Sequence, residues 1–297
     1  MEQDALIQRI AQHAPTEGFH DTAIPGLRLY RQNHATTEPL PTIYDPSICV
    51  IVQGVKCLRF GAETITYDAG HYLVNALTLP LAATIPEAAP AMPFLGFLIR
   101  FDPVQVGKLL AEIDDLIAWP SDMSVRAIDA CPITPGLAQA THRLIGCLVD
   151  PVDRKVLAEG LVREVLYDVL RGPRGIILRA QTLRGSSSQR VGRAVAFLEQ
   201  HYREPLTIEA IADQASMSPS ALHQHFKQVT ALSPMQFVQR LRLHQAHALL
   251  LGGRGAAEAG FAVGYNSPSQ FSREFRRLFG MSPSRVRQSG EGMALTA

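Results

Sequence analysis

Two stretches of this chain carry side chains suited to reading a nucleic acid, at matching places in two copies of one pattern. Ser218, Ser220, His223, Gln224 and Lys227 occupy the first; Ser267, Ser269, Gln270, Arg273, Arg276 and Arg277 occupy the second. Their hydroxyl, amide, imidazole, ammonium and guanidinium groups donate hydrogen bonds to phosphate oxygens and base edges. A good bidentate contact to a base contributes about 1–3 kcal/mol of discrimination. The copies lie 49 positions apart: Ser218-Pro219-Ser220 matches Ser267-Pro268-Ser269, and Leu232-Ser233-Pro234 matches Met281-Ser282-Pro283. Such self-similarity marks one supersecondary unit used twice.

Each copy opens with a serine able to cap a helix and a proline suited to its first turn. Apolar residues then recur at helical spacing, Leu222, Phe226 and Val229 in one copy and Phe271, Phe275 and Leu278 in the other. Upstream of the first, Leu206 to Ala215 has the pattern of a short helix capped by Thr207, and Ser216-Met217-Ser218 makes the turn of a helix-turn-helix. Upstream of the second, Gly255 to Val263 plays the same part, followed by Gly264-Tyr265-Asn266. Ala257 and Gly260 stand there in place of Ile208 and Ile211, and a helical glycine costs roughly 1 kcal/mol against alanine. Pro234 to Leu251 predicts a connecting helix of roughly 25 Å, long enough to hold two recognition helices toward successive major grooves.

The formal charge of +1 hides an asymmetry. Residues 186–297 hold 12 Lys and Arg against 7 Asp and Glu, whereas residues 1–185 hold 16 against 20. The basic part is the one with the repeat, as phosphate binding requires. No apolar run approaches the roughly 18 residues of a membrane span, and Met1 to Arg9 lacks the pattern of a signal peptide, so a cytoplasmic protein without membrane contact is expected.

From Gly26 to Phe101 the periodicity is that of short strands separated by turns, which predicts a small sandwich or barrel. Residues 102–185 return to helical periodicity over Pro103 to Trp119, Thr134 to Val149 and Pro151 to Arg171. Those helices either pair two subunits or cover the open face of the sheets. Arg184-Gly185-Ser186-Ser187-Ser188 is a linker composition, and a boundary between domains 1–185 and 186–297 is placed there.

The first domain has little that would do catalysis. His34 and His71 stand alone, without the histidine pair and carboxylate that would hold a metal, so no metal or cofactor is expected. Cys49, Cys57, Cys131 and Cys147 have no metal-binding spacing. Cys49 lies in an apolar strand. Lys56 and Arg59 could depress the Cys57 thiol if either came close, which makes an electrophile-sensing thiol at Cys49 or Cys57 a hypothesis beside plain packing. A small-molecule effector is expected in the interior of the sheets, lined by residues such as Ile51, Phe60, Tyr72 and Leu98.

Glu204-Pro205-Leu206-Thr207-Ile208, Ala212-Asp213-Gln214-Ala215-Ser216-Met217-Ser218 and above all Gly264 to Ser284 resemble the AraC/XylS-type transcription regulators. The turn Asp68-Ala69-Gly70-His71 and the strand order are similar to a cupin-type barrel. Tyr44 to Gly54 and Tyr67 to Leu73 resemble the N-terminal domain of a subgroup that includes enterobacterial activators of aldehyde-reductase genes. The resemblance implies an α+β chain with three parts: a cupin-like β-barrel, a helical dimerisation segment, and an all-α domain of two helix-turn-helix units. It implies a transcriptional activator that binds promoter DNA, an effector such as an aldehyde, and RNA polymerase, acting as a homodimer and not as an enzyme. Two rivals remain at this level. One is a cupin enzyme carrying a DNA-binding appendage, and the other a protein-interaction module without salt-dependent affinity for DNA.

Overall fold

The structure is a computed structural model and describes residues 2–36, 38–119 and 125–288. Residues 289–297, the end of the expected second domain, lie outside the described residues. Helix α1 (Glu2–His13) precedes nine strands: β1 (Gly18–Asp21), β2 (Leu27–Gln32), β3 (Leu40–Tyr44), β4 (Ser47–Gln53), β5 (Val55–Phe60), β6 (Glu63–Asp68), β7 (His71–Asn75), β8 (Leu79–Thr84) and β9 (Phe94–Arg100). Then come α2 (Pro103–Ile113), β10 (Ile128–Pro132), α3 (Pro135–Gly146), α4 (Pro151–Arg171) and α5 (Gly175–Thr182).

The strands form two antiparallel sheets, of order β1-β2-β9-β4-β7-β10 and β3-β8-β5-β6. They face each other as a sandwich and do not close into a barrel. Strand β4 shows why its apolar run is nearly continuous. Cys49 and Ile51 point between the sheets, while Ile48, Val50 and Val52 point to the other face, where the helices pack. A strand covered on both faces loses the alternation that would tell in from out. Strand β10 falls in the region expected to be helical. Its five residues carry Asp129 and take their register from β7, where Ile128 pairs with Asn75 and Pro132 with His71. So short a segment has no periodicity of its own to announce it.

Helix α1 lies on β2, β4 and β9, and α3 to α5 share the same apolar core on the outer side of the larger sheet, where Leu137, Leu144, Val165, Val169 and Ile177 are buried in one cluster with Ile10, Ile48, Val74 and Phe97. Each such side chain contributes about 1.5–3 kcal/mol on full burial.

The remaining helices are α6 (Ser187–His201), α7 (Ile208–Ala215), α8 (Pro219–Thr230), α9 (Pro234–Leu251), α10 (Ala256–Ala262), α11 (Pro268–Phe279) and α12 (Pro283–Gln288). Their core is continuous with the interior of the sandwich, so the two parts meet over packed apolar surface. Polar contacts fasten the same seam. The Ala127 amide donates to the Val229 carbonyl at 3.0 Å, and the Arg240 guanidinium to the Pro80 carbonyl at 3.4 Å. At the tip of the β5–β6 hairpin Gly61 has φ +65°, and a Cβ there would lie 3.0 Å from the Ala231 methyl.

Candidate nucleic-acid interface

The first unit is built from local chemistry. Thr207 Oγ1 accepts from the Ala210 amide at 3.2 Å and starts α7; Ser216, left-handed at φ 51°, ends it. Ser218 Oγ then accepts from the Ala221 amide at 3.3 Å and starts α8. Leu222, Phe226 and Val229 turn inward, and Phe226 meets Phe237 of α9 edge-on at 5.5 Å. The other face leaves Ser220, His223, Gln224 and Lys227 exposed.

The second unit repeats this plan with different volumes. Ser267 Oγ caps α11 by accepting from the Gln270 amide at 3.3 Å, and Phe271 and Phe275 are buried. Ser269, Gln270, Arg273, Arg276 and Arg277 are exposed, and Ser267 is half-buried at the cap. Gly260 gains a positive explanation: a Cβ there would lie 2.9 Å from the Phe271 ring. The first unit has Ile211 and Leu222 at the matching places, so a large residue has moved from one helix to the other. Gly264, at φ +93°, sits where a Cβ would come within 2.4 Å of the Arg203 carbonyl oxygen.

Two features of α11 escaped the sequence reading. Glu274 accepts from the Tyr265 hydroxyl at 2.7 Å and from Gln270 Nε2 at 3.1 Å. Burial raises its carboxyl, but these donors, with Gln239 and the Arg277 charge, outweigh that and hold it below its ordinary value. Gln270 is therefore oriented on the helix surface before any partner arrives. Beside it Arg273, Arg276 and Arg277 are exposed, and the Glu274 carboxylate answers part of the Arg277 charge. Both features depend on side-chain reach across a turn, which the i, i+4 spacing of Gln270 and Glu274 could have suggested.

Helix α9 holds the units together. Its 18 residues span about 27 Å. Arg242 on it donates to the carbonyls of Tyr202 at 2.6 Å, Glu204 at 2.8 Å and Gly264 at 3.3 Å, fastening the loop before α7 to the turn before α11. His244 and His247 of this helix pack on α11: the His247 ring stacks on Phe279 at 4.7 Å, and His244 meets Phe279 edge-on at 5.4 Å. Burial, with the charges of His247 and Arg240, lowers His244 to about 3, and burial also lowers His247. Beside the start of α8 a cleft of about 510 Å³ is lined by Arg190, Ser216, Ser218 and His225. Arg190 and the neighbouring Arg193 on α6 were not singled out by the sequence, because they lie outside the repeat.

In the other part of the chain, Ile51 and Leu98 line one small cavity between the sheets, with Cys49 beside them. Phe60 belongs to the same apolar core. Tyr72 does not join them: it projects from the opposite face of β7 into the helical layer, where its hydroxyl is buried without a partner of ideal geometry. Cys49 is buried, and burial raises its thiol despite nearby Lys56, which favours the neutral form over a thiolate. Cys57 is half-buried and accepts a hydrogen bond from Thr66 Oγ1 at 3.5 Å. Among the described residues no three His, Cys, Asp or Glu side chains converge on a metal-sized site. No described helix is long and apolar enough to cross a membrane.

Comparison with known proteins agrees with this architecture. Residues 211–289 match a helix-turn-helix domain family. The transcriptional activator RhaS of Escherichia coli O1:K1 is 29% identical over 164 residues, which cover 54% of this chain and 58% of RhaS. The match to this relative therefore spans less than two thirds of its length. Among solved structures, ToxT from Vibrio cholerae superposes with a TM-score of 0.61 at 11% identity, covering 90% of this chain and 98% of ToxT. A second ToxT structure, with an unsaturated fatty acid bound, gives a TM-score of 0.57 at 12% identity over 88% and 94% of the two chains. At such identity the likeness shows the fold. Residues 23–177, more than half of the chain, match the AraC-type transcriptional regulator N-terminus, and the chain belongs to that family.

Proposed function

We propose that this chain is a sequence-specific DNA-binding transcriptional regulator, with a sensor over residues 1–185 and a DNA-reading part over residues 186–297. The observation that carries the proposal is the pair of capped helices α8 and α11 on one rod, each with its polar face exposed. Successive major grooves recur about every 34 Å along one face of B-DNA, a spacing compatible with two helices joined through α9. Arg273, Arg276 and Arg277 contact phosphate or guanine; His223, Gln224 and Gln270 read bases. Ser218, Ser220, Lys227, Ser267 and Ser269 contact the backbone.

The effector occupies the interior of the sandwich, near Ile51 and Leu98. Its binding reaches the DNA through the seam at Val229 and Ala231, where the sensor touches the end of α8. Description of RhaS as an activator favours activation, with RNA polymerase as a partner in the cytoplasm. Two copies pair through α4, whose Val152, Val156 and Leu157 are exposed beside Val149. The proposal contains no catalytic step.

The test is binding of the purified protein to its own upstream intergenic DNA and to scrambled DNA across a salt series. A specific complex whose log K falls steeply with log salt is expected. Complete absence of binding at low salt would overturn the reading.

A further inference from the structure

The interior of the sandwich contains a lysine set among aromatic rings. Lys56 on β5 places its Nζ 5.4 Å from the Tyr30 ring centroid and 5.2 Å from that of Tyr44. Among the described residues no carboxylate pairs with it; the groups that face it are phenols and the Cys49 thiol. The Tyr30 hydroxyl is spent on Gln32 Oε1 at 2.9 Å. Tyr44 and Tyr67 are each only 2% exposed, and neither hydroxyl has a hydrogen-bond partner among the described residues. In an apolar interior a phenol without an acceptor and an ammonium without an anion are both unfavourable. Three unsatisfied donors converging in an apolar interior describe one half of a binding site.

Their missing complement follows from valence and size. Lys56 and Tyr44 line two adjoining cavities of about 20 and 30 Å³, the second of which also reaches Tyr67. By this measure about 10–15 Å³ holds one water, so the space admits only a few heavy atoms. Ammonium and phenol donors call for an acceptor with negative charge and two oxygens, and a carboxylate offers about four lone-pair sites. A divalent oxyanion would bring more charge than one lysine answers. The far wall, Ile51 and Leu98, is apolar and suits a short hydrocarbon end.

We propose that the sandwich interior binds a short-chain monocarboxylate, whose carboxylate accepts hydrogen bonds from Lys56 Nζ and from the Tyr44 and Tyr67 hydroxyls. This rests on the reading that the effector enters the sandwich, and adds its chemical class and its anchoring residues. The site lies on a strand that speaks to the DNA-reading part, since β5 ends at the Gly61 turn against Ala231.

Titration calorimetry on the full chain tests it with acetate, propionate and butyrate against propionamide and propanol. Carboxylates bind and the neutral isosteres do not; Lys56→Met weakens propionate at least about tenfold, and Tyr44→Phe weakens it several-fold. Thermal melts of both variants establish that they are folded. No propionate binding, equal binding of propionamide, or unchanged affinity in folded Lys56→Met overturns the proposal. So does propionaldehyde trapped on Lys56 by borohydride without carboxylate binding. Neutral sugars complete the panel: one whose binding is lost in Leu98→Trp but kept in Lys56→Met would refute the carboxylate while leaving the interior site standing. A ligand whose binding and effect on DNA affinity both survive Leu98→Trp would refute the interior site itself.

Discussion

The two helix-turn-helix units share a plan and differ in how they fill it. In the first, Ile211 and Leu222 divide the volume between the paired helices; in the second, Gly260 gives way to Phe271, and Phe271, Phe275 and Phe279 follow one another along the helix with rings 5.5 and 4.5 Å apart. The first unit borrows Phe237 from the rod, whereas the second stacks on His247 and meets His244 edge-on. The polar faces differ too: three exposed arginines on α11 against a single exposed lysine and a histidine on α8. On the proposed reading, the second unit makes the stronger phosphate and guanine contacts and the first the lighter ones. Equivalent helices need equivalent total volume, not equivalent residues.

Truncating the large residue gives the largest expected effect. Phe271→Ala lowers stability by about 3–5 kcal/mol, while Leu222→Ala lowers it by about 2–5 kcal/mol, with denaturant melts as the measurement. Equal losses in the two would show that the ring has no special part in the second unit. For binding, Arg273→Ala weakens a cognate DNA complex by about 1–3 kcal/mol and reduces the salt slope by about one, whereas Lys227→Ala changes mainly the slope. Unchanged affinity and slope in Arg273→Ala would remove that residue from the interface.

Gly260→Ala sharpens the comparison further. Helix propensity alone predicts a gain of roughly 1 kcal/mol, but the clash with Phe271 reverses the sign, for a net loss of about 1–2 kcal/mol. Adding Phe271→Leu to a Gly260→Ile variant restores the arrangement of the first unit and recovers most of the loss, as a double-mutant cycle measures.

The histidines make the second unit the pH-sensitive one. His244 titrates near 3 when folded and near 6.5 when unfolded, so the unfolded chain takes up a proton first as pH falls. Its contribution is therefore complete above about pH 6.5 and declines toward pH 3, by about 1–2 kcal/mol at pH 5. Melts from pH 7 to pH 5 should show this slope, flattened in His244→Leu. The smallest difference is expected at the caps: Ser218→Ala and Ser267→Ala each cost about 1 kcal/mol, since each hydroxyl accepts from the amide three residues on at 3.3 Å.

What was legible from the residues was what is local. Caps, turns and apolar spacing located both recognition helices and their exposed faces within a residue or two, since each depends on contacts a few positions apart. Strands β2 and β4 to β9 were legible for the same reason, whereas β1, β3, β10 and helices α5 and α12 were not. Tyr72 was assigned to the interior because β7, apolar on both sides, offers no contrast between faces. Gly260 looked like a weakness because its reason, a ring on another helix, is eleven residues away.

The sequence by itself determined that two capped, amphipathic units would form, that they would carry the positive charge, and that strands would precede them. Tertiary structure alone decided that the sheets stay an open sandwich, that its core runs on into the helices, and that Lys56 lines one cavity with Tyr44 and Tyr67. The physical reason is range. Hydrogen bonds of caps and the period of an apolar stripe act within one turn or strand, whereas the complement of a ring, a charge or a hydroxyl is fixed only by which distant surface packs against it.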